Sequence, residues 1–96
     1  MPDFPEDLLQ LQREIDAARI AADTYAETVA TERRALFPDG EQIVERQTWS
    51  AEQDAEMDRL RAAYLAAARA KWAHPAYVPA EDFELREAAR SSTVAG

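Results

Sequence analysis

The chain of 96 residues contains no cysteine and no asparagine, and its only glycines are Gly40 and Gly96. Without cysteine there is no disulfide framework and no thiolate-ligated zinc or iron–sulfur site. Without asparagine there is no N-glycosylation acceptor. Two isolated glycines cannot write a glycine-rich phosphate loop or a dinucleotide fingerprint. Long apolar runs are missing too. The longest, 62–68, has seven residues, far short of the roughly 20 that a membrane-spanning helix needs. Basic charge is scarce, with 11 Lys and Arg against 19 Asp and Glu and a net charge of −8. The opening Met-Pro-Asp-Phe-Pro-Glu-Asp is acidic where a signal peptide is basic. The expectation is a soluble, cytoplasmic protein without a membrane partner.

What is present is alanine. It supplies 21 of the apolar residues and leaves 24 larger ones. Alanine is the strongest helix former but buries little area, so the chain favours helix while offering a thin core. Charge is also unevenly placed: residues 1–56 carry 5 basic and 14 acidic side chains, whereas 57–96 carry 6 and 5. An acidic first half repels phosphate, so direct nucleic-acid binding is not expected.

Proline and glycine divide the chain. Residues 6–37 and 41–74 contain neither, and Phe37-Pro38-Asp39-Gly40 between them is a turn signal. Pro5 suits a first helical turn, with Glu6 and Asp7 complementing the helix dipole. Apolar residues then fall at alternating steps of three and four, at Leu8, Leu11, Ile15, Ala18, Ala22, Tyr25, Val29 and Leu36, with Glu32 as the exception. This spacing predicts a helix over about 6–36 with a coiled-coil-like apolar seam. Glu32 either sets register as a charge within the seam or marks the point where the seam ends. Ser50 and Gln53 make a capping box, and early acids with late Arg69 and Lys71 match the dipole of a second helix over about 50–74. Pro75 and Pro79 end it. A third helix is expected over 80–90, with Asp82 and Arg86 as an i,i+4 pair. The connector 37–49 includes an ambiguous stretch, 41–49, that is either a helical turn or extended. Residues 91–96 are expected to be a disordered tail.

The expected fold is all-α: one domain over 1–90, an antiparallel hairpin of two long helices with a short C-terminal helix, completing a bundle by self-association or partner binding. No catalytic, cofactor-binding or metal site is written. His74, the only histidine, stands at a helix end before proline and reads as a cap. Lys71, the only lysine, is flanked by alanines and arginine and reads as structural. Arg59, Arg61, Arg69 and Lys71 read as a solvated face, since no aromatic stacking platform is interleaved with them. No Glu-x-x-His motif of a bundle metal site occurs.

The functional expectation is a non-catalytic protein–protein interaction module, homo-oligomeric or bound to another protein. Its partner-binding residues would be Leu8, Leu11, Ile15, Ala18, Ala22, Tyr25 and Val29 of the first helix, with Trp49 and Trp72 as anchors. The alternative is an acidic inhibitor or decoy that occupies a basic nucleic-acid-binding surface, with acids at 14, 16, 23 and 27 forming part of one stripe. A further resemblance rests on a cysteine-free chain with two long helices and Trp49-Ser50-Ala51 at the bend. In these features it resembles the WXG100 secretion-system proteins, which implies a secreted helical hairpin. Ala51 stands where that family has glycine, and Tyr77-Val-Pro-Ala-Glu81 places Pro79 inside the tail motif.

Overall fold

The computed structural model describes residues 3–94, which are helical apart from turns and connectors. The element order is α1 (Glu6–Leu36), α2 (Ile43–Gln47), α3 (Ala51–Trp72), a 3-10 turn (Pro79–Glu81) and α4 (Asp82–Val94). No strand occurs among the described residues.

α1 begins directly after Pro5, whose carbonyl accepts from the N–H groups of Leu8 and Leu9. α3 begins at the capping box: Ser50 Oγ accepts from Gln53 N at 3.1 Å and Gln53 Oε1 accepts from Ser50 N at 2.8 Å. Two orphan donors are thereby satisfied reciprocally. The ambiguous connector contains a five-residue helix, α2, with no buried residue. Arginines rather than apolar burial hold it. Arg46 donates to the carbonyls of Phe37, Pro38 and Asp39, while Arg33 donates to that of Glu45 and stacks 4.9 Å over the Phe37 ring.

α1 packs against α3 and, through its first half, against α4; α2 also lies on α1. His74, just after α3, reaches Asp7 in the first turn of α1, and Trp49, just before α3, meets Tyr25. The buried apolar residues are Leu8, Ile15 and Val29 of α1, Met57 and Ala68 of α3, and Leu85 and Ala89 of α4. The result is a rod of 54 × 25 × 23 Å.

One boundary differs from expectation. The helix expected to end at residue 90 runs to Val94, so the expected tail of 91–96 is helical over 91–94, and residues 95–96 lie outside the described part. Ala89 anchors α4 in the core, and no proline or glycine follows before Gly96. Once a helix is nucleated, each added residue costs little. Of the two readings of Glu32, the structure supports the one in which the stripe ends. Glu32 is exposed, as is Leu36, so the buried part of the seam ends at Val29.

Candidate interaction surface

The stripe on α1 lies on the side that meets α3 and α4. Leu8, Ile15 and Val29 are buried, and Leu11, Ala18, Ala22 and Tyr25 are half-buried. Alanines in the middle of the stripe fill less space than the residues at its ends, and coverage is thinnest there. Trp49 is half-buried, its ring edge-on to Tyr25 at 6.0 Å and 75°, a favoured aromatic geometry. Trp72 is 59% exposed. Ile20, Leu65 and Phe83 are also exposed large apolar residues.

The most enclosed polar cluster is centred on Lys71, which is 4% exposed. Its ammonium donates to Gln12 Oε1 at 2.9 Å and to Asp82 Oδ1 at 2.8 Å, and sits 5.3 Å from the centre of the Tyr77 ring. Asp82 Oδ1 also accepts from the Tyr77 hydroxyl at 3.0 Å, and Asp82 Oδ2 pairs with Arg86 Nε at 2.8 Å. Gln12 is buried and passes its amide to Asp16 Oδ1. Burial pushes the Asp82 carboxyl up. The hydrogen bonds from Lys71 and Tyr77 and the charges of Lys71 and Arg86 outweigh that and hold it below its ordinary value. Burial, then the bond to Asp82, raises the Tyr77 phenol. The cluster ties α1, α3 and α4 together with one buried cation whose partners come from all sides.

The sequence expectation of a structural Lys71 on a solvated face includes neither its burial nor its partners Gln12 and Asp82. The available signal is Gln12 itself, a polar residue in phase with Leu8 and Ile15. Of the basic residues grouped with Lys71, Arg59 pairs with Glu56 on its own helix, and Arg61 and Arg69 are exposed.

His74 works as a latch rather than as a carbonyl cap. The Ala76 N–H donates to Nδ1 at 3.0 Å, which leaves Nε2 to donate to Asp7 Oδ2 at 2.9 Å. That hydrogen bond is the main reason the Asp7 carboxyl lies below its ordinary value. Both ring nitrogens are thus committed to structure. Ser50 is likewise committed to its cap.

A groove runs between α3 and α4 with α1 as its floor. It has a volume of about 230 Å3, and its lining includes Ile15 and Arg19 of α1, Tyr64 and Trp72 of α3, and Arg86 and Arg90 of α4. Arg19 and Tyr64 also line a neighbouring depression of about 170 Å3, with Ala22, Asp23 and Arg61, so the two adjoin. Among the described residues no group of three or more His, Asp or Glu side chains gathers to hold a metal ion, and no helix is long and apolar enough to cross a membrane. No known protein family, curated protein or solved structure matches this chain.

Proposed function

We propose that the chain is a non-catalytic protein–protein interaction module in which α1 and α3 form an antiparallel hairpin that completes a helical bundle with a second chain. The observation that carries this reading is the surface the chain leaves uncovered. A compact monomer of this mass exposes about 5,500 Å2, whereas this one exposes 6718 Å2. The excess is comparable to the roughly 800 Å2 that each partner contributes to a standard interface. The thinly covered middle of the α1 stripe (Ala18, Ala22 and Tyr25), together with exposed Leu65 and Trp72 of α3, supplies part of its apolar area. Commitment of His74 and Ser50 to structural bonds also favours a non-catalytic reading. Analytical ultracentrifugation over a concentration series tests it. The expected result is a concentration-dependent homo-oligomer that Leu65→Ser weakens without loss of helicity. A chain that stays monomeric at tens of micromolar and binds no protein would overturn the reading.

A second reading is favoured by one observation. Glu14 and Glu27 are exposed and make no ion pair, so the flanks of α1 present unneutralised carboxylates suited to a decoy for a basic surface. Under that reading the protein is a monomer, and it binds a basic nucleic-acid-binding protein with an affinity that falls as salt rises. Under either reading the chain acts on proteins and not directly on nucleic acid or membrane, and the expected compartment is the cytoplasm.

A further inference from the structure

We infer that the groove between α3 and α4 is a docking site for an acidic, amphipathic segment of a partner protein. This inference rests on the interaction-module reading and gives the partner its chemistry.

The argument starts from charge. The chain as a whole is at −8, yet the groove and the depression beside it present five basic side chains against three carboxylates, although Arg90 is paired with Glu87. The basic groups are not all consumed internally. Lys71 is saturated by Gln12 and Asp82. The side chains of Arg19 and Arg61, both exposed, make no hydrogen bond or ion pair. Arg86 spends only its Nε on Asp82, which leaves its two terminal nitrogens aimed at no partner. A guanidinium fork is the side chain best matched to a planar carboxylate, since it binds bidentately.

The arginines also come from different elements. Arg19 stands on the floor of the groove and Arg86 on its α4 wall, while Arg61 of α3 borders the adjoining depression. α3 and α4 meet through the Lys71–Asp82 pair and not along their lengths, so the space between them is held open from below by α1 and closed at the Lys71 end by the buried cluster. Arg61 and Tyr64 are three apart on α3, with Trp72 two turns beyond Tyr64, so cationic and aromatic groups share the wall. An occupant that places carboxylates on Arg19, Arg61 and Arg86 sets an apolar side chain against Tyr64 and Trp72. Asp16 and Asp23 also border this space and oppose an acidic segment, but Asp16 already accepts from the Gln12 amide. The three available guanidinium groups decide the sign.

Fluorescence anisotropy with two labelled synthetic peptides tests this. One is an amphipathic helix of about 15 residues with Glu on its polar face and Leu on its apolar face, and the other replaces every Glu by Lys. The acidic peptide is expected to bind, more weakly as salt rises, and to shift Trp emission in wild type but not in Trp72→Phe. Arg19→Glu with Arg61→Glu should weaken it by about tenfold or more, since repulsion takes the place of attraction at both positions. Arg34→Glu with Arg69→Glu changes net charge equally on exposed residues outside this groove and should retain binding beyond that of the groove variant. Circular dichroism confirms that each variant is folded. Equal binding of the two peptides, or equal loss in both reversal variants, overturns the inference. So does a homodimer that dissociates in the Arg19→Glu, Arg61→Glu variant, because a second copy then fills the groove. An oligomer that forms normally while neither peptide binds sinks this inference alone and leaves the module reading standing.

Discussion

Lys71 joins three helices through one buried ammonium. Its ammonium is removed from water and compensated by one carboxylate and one amide oxygen. Removing a single member of such a pair leaves the others buried without a partner, which costs about 3–5 kcal/mol in a fully enclosed site. Asp82 retains Tyr77 and Arg86 and is partly exposed, so Lys71→Met is expected to cost about 2–3 kcal/mol. Urea denaturation reads this as a lower midpoint at unchanged slope. Adding Gln12→Leu should recover part of the loss, because the orphaned amide oxygen disappears. A neutral Lys71→Met would mean that the cluster contributes nothing to stability. The same cluster sets an acid limit. The folded Asp82 carboxyl is a stronger acid than the unfolded one, so the unfolded chain takes up the proton first as pH falls. Its stabilisation is complete above the ordinary carboxylate range near about pH 4 and is lost as pH drops through the folded value. Asp82→Asn is therefore expected to melt lower than wild type at neutral pH and to show a shallower decline in melting temperature below about pH 4.

At the scale of elements, legibility in the sequence follows the range of the interaction that fixes each boundary. α1 starts after Pro5 and stops before the Pro38–Gly40 turn, and α3 starts at Ser50, because local backbone constraints and caps decide those ends. α2 is illegible for the opposite reason. It is held by Arg46 and Arg33 reaching loop carbonyls and a helix turn up to 12 residues away, and no local pattern announces such bonds. α4 overruns its expected end because its anchor, Ala89, is a tertiary contact. The groove is legible only in fragments: Arg61, Lys71 and Arg86 stand out in their own segments, but nothing local shows that three helices bring them together with Arg19. Periodicity does indicate which face of α1 turns inward, but not where that face stops. The exposure of Glu32 settles the two readings of the stripe, and Glu32→Leu becomes a test of that boundary. With the side chain in water on both sides of the unfolding transition, the change should alter stability by no more than about 0.5 kcal/mol. A clear rise in melting temperature would show that the buried stripe continues to Leu36.

At the scale of the molecule, the rod shape governs what mutations can do. A chain of this length packed as a sphere-like domain has a radius of gyration near about 13 Å, whereas this one has 17.8 Å. Elongation places most residues near the surface, and seven buried apolar residues carry the interior of the described part. Four of them are Leu8, Ile15 and Val29 on α1 and Leu85 on α4, so the loss of one is a large fraction of the core. Ile15 is 7% exposed. Ile15→Asp puts an unpaired carboxylate into that interior, at a cost of several kcal/mol, against a typical domain stability of about 5–15 kcal/mol. Because the buried stripe already faces α3 and α4 of its own chain, the expected outcome is loss of helical circular dichroism and of cooperative melting, with any oligomer lost as a consequence. Leu65→Ser is the complementary change: Leu65 is exposed, so helicity should survive while association weakens. Sedimentation and circular dichroism on the two variants separate fold from assembly. An Ile15→Asp chain that remains fully helical but becomes monomeric would place the stripe between chains rather than within one, and the packing of α1 on α3 and α4 would then belong to the dimer.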